Sequence, residues 1–231
     1  MFFFDPVYLI FLAPGLLLSL WASWRVKTNF NKYSKIGTAR GISGAQAAAE
    51  VLRDAGISDV QVVRARGFLS DHYNPVNKTL ALSDSVYDST SIAAVGVAAH
   101  EAGHAIQHAQ HYAPLWVRSL LVPTANIGSS VGYLVMVFGL MLNAMNMVLV
   151  GAILFGAVLL FQIVTLPVEF DASRRAKYLL VNRGIIMERE RVGVDKVLNA
   201  AAMTYVAAAI TTLLTLLYFL MRSGLLGGRR D

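Results

Sequence analysis

The chain has no cysteine. That absence excludes disulfide frameworks, zinc–thiolate sites and thiol catalysis, and any metal must be held by His, Asp or Glu. Charge is also scarce. Asp, Glu, Lys and Arg make up 15% of the 231 residues, where soluble domains carry about 25%. The net charge of +6 does not imply nucleic acid, because the cations form no stripe with interleaved aromatics. Internal repeats and low-complexity tracts are missing as well.

Apolar residues fill the space, at 56% of the chain, and they fall into four runs. The first extends from Phe2 to Trp24, broken only by Asp5, Pro6 and Pro14. It lacks the basic start and small-residue cleavage site of a signal peptide, so it is read as a retained anchor. The others cover about Leu120 to Leu142, Val148 to Leu166 and Ala200 to Met221. Each approaches the roughly 20 residues that a bilayer-crossing helix needs. The fold class expected is therefore a mainly α, polytopic membrane protein with about four transmembrane helices and a small α+β catalytic region.

Charge placement orients these runs. Ten Lys or Arg residues, Arg25 to Arg118, separate the first run from the second, and seven, Arg174 to Lys196, separate the third from the fourth. The Asn143–Asn146 turn has none, and the tail has Arg222, Arg229 and Arg230. Seventeen of the twenty thus fall on one side, which the positive-inside bias assigns to the cytoplasm. The expected localisation is the plasma membrane, multi-pass, with the site facing the cytoplasm. The expected organisation is an anchor over 1–26, a cytosol-facing catalytic region over 27–115 and a transmembrane hairpin over 116–167. A helix bearing a third metal ligand follows over 168–198, and a last transmembrane helix with its tail over 199–231.

Within the polar region, Ser43 and Gln46 have the spacing of a capping box before Ala47, Val51 and Leu52, with Gly56 as the stop. Val60–Arg66 and Lys78–Ser83 read as strands joined through the turn-rich Asp71-His72-Tyr73-Asn74-Pro75. The second strand is expected to offer an edge on which an extended substrate adds. A helix is predicted over about Thr90–Gln110, and Gly224–Asp231 is read as a frayed end.

That helix carries His100-Glu101-Ala102-Gly103-His104. Imidazoles four residues apart project from one helical face and can share a zinc ion. Glu101 then reaches a water in the open position as general base. The residues before His100 are Ile92 to Ala99, all apolar or glycine, so buried His and Glu there require a partner, which a divalent cation supplies. Gly103 costs about 1 kcal/mol in a helix interior, and its place suits close approach of another element. His108 is another four residues on, but about 12 Å separate it from His100 along the axis. Three collinear ligands cannot close a tetrahedron, so His108 is expected outside the ligand set. A third ligand must come from elsewhere. Glu169, in the first turn of a helix after Leu166-Pro167-Val168, fits, and Asp171 competes with it.

Three stretches together resemble the YugP-type neutral zinc metallopeptidases of bacterial membranes. They are Ala98-Ala99-His100-Glu101-Ala102-Gly103-His104-Ala105-Ile106-Gln107, Asp71-His72-Tyr73-Asn74-Pro75, and Pro167-Val168-Glu169-Phe170-Asp171-Ala172-Ser173-Arg174-Arg175-Ala176. The resemblance covers nearly the whole chain and implies a gluzincin-like metallopeptidase with Zn2+ on His100, His104 and Glu169 and Glu101 as catalyst. A more distant likeness links the chain to the CAAX prenyl protease and heat-shock membrane protease group. There the ligand Glu is followed four residues on by an Asp that supports a zinc histidine. Here Ser173 stands at that position, a weaker acceptor for an imidazole N–H. His72 or Tyr73 is a candidate donor to the transition-state oxyanion.

Expected partners are a protein or peptide substrate and the lipid bilayer, with no nucleic acid. The small residues Gly128, Ser129, Ser130 and Gly132 leave room for helix packing with a membrane partner or in a homo-oligomer. Two rival readings remain. A site-2-type intramembrane protease shares the His-Glu-x-x-His pattern but needs a later Asp-Gly pair, which this sequence lacks. A non-catalytic zinc-binding adaptor has no use for Glu101 beside the metal.

Overall fold

The computed structural model describes residues 6–67 and 69–226. The start of the first apolar run at Phe2, Asp5, and the end of the tail with Arg229 and Arg230 lie outside the described residues. Among those described, the order is α1 (Pro6–Tyr33), α2 (Gly44–Asp54), β1 (Gln61–Ala65), β2 (His72–Asn74), β3 (Thr79–Ser83), α3 (Asp84–Tyr87) and α4 (Ile92–Ala109). α5 (Ala113–Ile127), a π-helical turn (Gly128–Gly132), α6 (Tyr133–Met141), α7 (Met145–Asn182) and α8 (Glu188–Arg222) follow. Among the described residues, four helices are long and apolar enough to cross a membrane: α1, the continuous Ala113–Met141 stretch, α7 and α8. With one small three-stranded sheet beside them, this is the mainly α, polytopic architecture expected.

The chain divides into two compact units, one of 1–22, 116–166 and 204–231, the other of 23–115 and 167–203. In the first, Met136, Val148, Phe155, Tyr218 and Phe219 form the core. Gly128 and Gly132 have an internal occupant there. A methyl group on Gly128 would stand 2.2 Å from the Leu154 carbonyl oxygen, and one on Gly132 would stand 2.8 Å from the Phe155 nitrogen. These small residues seat α7 of the same chain.

In the second unit α2 packs on α4, and Val51, Leu80, Leu82, Val95, Ala98, Ala102 and Leu180 meet in one core. The capping box is formed: the Gln46 amide donates to Ser43 Oγ at 3.3 Å, and the Ser43 amide donates to Gln46 Oε1 at 2.8 Å. Gly56 ends α2 at φ +72°, a conformation open to glycine at no steric cost. α4 starts from Ser91, whose Oγ accepts from the Ala94 amide at 3.2 Å.

Three expectations need correction. Asp71–Pro75 is not wholly a turn, because His72–Asn74 forms β2. The sheet order is β1-β3-β2, with β1 parallel and β2 antiparallel to β3. The Thr79–Ser83 strand is thus central, its backbone groups used on both sides, and it has no edge for a substrate. Finally, Glu169 does not open a helix. α7 runs unbroken through Pro167, whose ring removes a single amide donor, while the apolar neighbours on both sides sustain the helix. Glu169 therefore sits mid-helix, where no helix-terminal dipole can explain a carboxylate.

Candidate metal centre

α4 buries nearly its whole surface, and this places the histidines. Ala98, Ala99, Ala102 and Ala105 are at most 1% exposed, so the backbone of α4 lies close to its neighbours. The tightest approach is at Gly103. A β-carbon there would fall 2.7 Å from the Ala172 carbonyl oxygen and 3.2 Å from Ala172 Cα. Helices α4 and α7 thus meet nearly backbone to backbone, and side chains flanking Gly103 and Ala172 are forced together.

These flanking residues are His100, His104 and Glu169, whose ligand atoms all lie within 4.8 Å of one another. Glu169 Oε2 is 3.3 Å from His100 Nε2 and 3.7 Å from His104 Nε2. Nitrogen and oxygen ligands about 2.0–2.2 Å from one tetrahedral ion stand about 3.4 Å apart. The spacing and the sulfur-free donor set therefore fit zinc. The two imidazoles, 4.7 Å apart between centroids, stand nearly perpendicular at 79°. Glu169 is 3% exposed, His104 8% and Glu101 9%. Three carboxyl and imidazole groups with so little water need a counter-charge.

Hydrogen bonds fix which ring nitrogens face inward. The Gln107 carboxamide is fully buried and donates from Nε2 to the Val168 carbonyl at 2.8 Å and to Asp171 Oδ2 at 2.9 Å. Both partners only accept, so the amide orientation is determined. Its Oε1 then lies 3.0 Å from His104 Nδ1, which must carry the proton. In the neutral ring, Nε2 of His104 is then left with its lone pair toward the cluster. On the other imidazole, His100 Nδ1 lies 3.1 Å from Ser173 Oγ, so the hydroxyl expected as a weaker support is in contact.

Asp171 is not among the clustered ligands. Its carboxylate instead holds Gln107 and accepts from Arg175 Nε at 2.5 Å and from Arg174. Arg175 continues to Gln110 Oε1, also at 2.5 Å. His72, exposed on β2, has Nδ1 2.8 Å from the Ser70 carbonyl. The Tyr73 hydroxyl is 2.8 Å from His108 Nδ1, so His108 is engaged with β2. Burial, followed by the charge of Asp59, pushes the Tyr73 phenol up and keeps it protonated. Burial opposes charge on His104, but its hydrogen bond with Glu169 and the carboxylate of Glu101 outweigh that, and its pKa is raised above the ordinary histidine value.

Sequence reasoning missed Gln107. Its signal was its position three residues after His104 on the same helix, where an amide can fold back onto the imidazole. A polar residue amid the apolar face of α4 required a buried partner.

The sequence has counterparts among known proteins. Residues 8–224 match the model of a family described as "Putative neutral zinc metallopeptidase". The chain is 46% identical over 215 residues to "Putative membrane protease YugP" of Bacillus subtilis (strain 168), covering 93% of this chain and 95% of that relative. No solved structure matches it. With the match spanning nearly its full length and taking in both halves of the His–His–Glu cluster, the chain belongs to the YugP-type family of neutral zinc metallopeptidases.

Proposed function

We propose that this protein is a membrane-integral zinc endopeptidase of the gluzincin type that hydrolyses peptide bonds with Glu101 as general base. The observation that carries the proposal is the meeting of His100, His104 and Glu169 within 4.8 Å, with Glu101 next to His100 on the same buried helix. A zinc ion held by these three would act as a Lewis acid, polarising the scissile carbonyl and acidifying a water.

The remaining work belongs to the chain. Glu101, only 9% exposed, takes the proton of the attacking water and later returns it to the leaving amine nitrogen. Gln107 and Ser173 hold the imidazole planes, and Gln107 also sets the His104 tautomer, so that ring offers Nε2 inward. The surrounding alanines of α4 keep bulk water away. The Asp171–Gln107 contact, anchored by Arg174 and Arg175, prevents the amide from turning over. The substrate class is protein or peptide. The distribution of Lys and Arg supports a cytoplasmic site at the plasma membrane.

Glu101→Gln tests the reading. The variant should bind zinc as the parent does while peptide cleavage falls by a factor of about 10²–10⁴. Retained cleavage would overturn the base assignment. An adaptor with a structural metal would lose nothing measurable from this substitution.

A further inference from the structure

Apart from the metal centre, the second unit holds a cavity of about 270 Å³ whose lining is basic and aromatic. Arg25 and Lys32 come from α1, Lys196 comes from α8, and Trp24 borders them. Thr28 and Asn29 add polar groups, and no carboxylate is among the lining residues. Asp195, next to Lys196 in sequence, is taken up by Lys177 at 3.2 Å and Arg191 at 3.8 Å. Lys32 Nζ lies 5.4 Å from the centroid of Tyr33, another wall residue.

The position along the helices narrows the ligand. In α1 the apolar run ends at Trp24, and Arg25 begins the polar part. In α8 the polar part ends with Lys196 and Asn199, and the apolar run begins at Ala200. The cavity therefore lies where both candidate spans pass from apolar to charged, the level of lipid headgroups. An indole at that level prefers the interface, and Trp24 is 64% exposed. Three cations around a pocket without a carboxylate suit an anion, and at this depth the abundant anions are phospholipid phosphates.

We propose that the Arg25–Lys32–Lys196 cavity is a binding site for the phosphate group of an anionic phospholipid. Arg25 supplies a forked donor set to phosphate oxygens, the two lysines supply charge, and Trp24 packs on the glycerol region. A dissolved phosphate compound shares the anionic chemistry but has no use for Trp24 or for the boundary level. The site is independent of the zinc cluster and of the proteolytic reading.

The test uses the full chain with Trp21→Phe and Trp116→Phe, leaving Trp24 as the only indole. It is placed in phosphatidylcholine vesicles containing a minor share of phosphatidylglycerol, with bromine quenchers on one lipid or the other. Trp24 quenching should report phosphatidylglycerol enriched at least about fivefold over its bulk share, the factor one cation near an anionic surface supplies. The enrichment should persist in about 0.5 M salt, where a diffuse surface field is screened within a few ångströms. It should vanish in the triple variant Arg25→Gln, Lys32→Gln, Lys196→Gln and survive in Lys27→Gln, Lys35→Gln, Arg66→Gln, which loses equal charge outside the cavity.

Loss of enrichment in salt would overturn the site without any cationic substitution being made. So would equal effects of the two triple variants, since both would point to the general field. Full displacement by soluble glycerol 1-phosphate would reassign the cavity to a free phosphate ligand and overturn the lipid proposal.

Discussion

Gln107 Oε1 accepts the Nδ1 proton of His104 at 3.0 Å, and the Gln107 amide nitrogen is in turn held by Asp171 at 2.9 Å and the Val168 carbonyl at 2.8 Å. Such outer contacts typically carry a factor of 10–100 in metal affinity. Gln107→Ala should therefore weaken zinc binding about 10–100-fold in a chelator competition, while Asp171→Asn, which keeps Gln107, should have a smaller effect. An unchanged zinc affinity in Gln107→Ala would mean that His104 is oriented by packing alone.

Glu169→Ala removes the candidate ligand contributed by α7. Zinc content after dialysis against a weak chelator should fall well below one equivalent, since two imidazoles from a single helix cannot close the coordination shell. Asp171→Ala should keep more zinc than Glu169→Ala under the same dialysis. The reverse ranking would exchange their roles.

Gly103→Ala places a methyl group 2.7 Å from the Ala172 carbonyl oxygen, an obstacle of backbone and not of a flexible side chain. Overpacking of this kind costs about 1–3 kcal/mol. The thermal midpoint of the detergent-purified protein should drop, and zinc affinity with it, because α4 and α7 are pushed apart where the ligands meet. A variant with parental midpoint and affinity would show that the contact tolerates separation.

Proton and zinc compete for His104. Its raised pKa in the metal-free fold means the charged form is favoured by folding, so this contribution is complete below the ordinary value of about 6.5. It is lost as pH rises through the folded value. Zinc requires the neutral ring. Zinc affinity should therefore go on increasing above pH 6.5, and calorimetry in buffers of different ionisation enthalpy at neutral pH should detect proton release. A plateau reached at or below pH 6.5 would contradict the assignment.

The legibility of this protein in its sequence varied with the range of the interaction. The four long apolar helices were readable because apolar residues must leave water wherever they occur. The Ser43–Gln46 cap was readable because its partners are three residues apart. His100, Glu101 and His104 announced themselves by helical spacing, and the structure brings Glu169 to them. The role of β3 was misread, since strand order depends on pairings that no local pattern encodes. Glu169 was placed in the first turn of a helix after Leu166-Pro167-Val168, and only the continuity of α7 corrects that. Gln107 escaped notice because its importance comes from Asp171, 64 residues later.

All the groups that complete the centre on the α7 side lie between Val168 and Ser173. During synthesis the paired histidines emerge long before that stretch does. Until it has left the ribosome, the imidazoles have neither their carboxylate companion nor Ser173, and Gln107 lacks the partners that fix its amide. Capture of a metal ion by all three residues is thus expected only late in the life of the nascent polypeptide, once the Val168–Ser173 stretch has folded against α4.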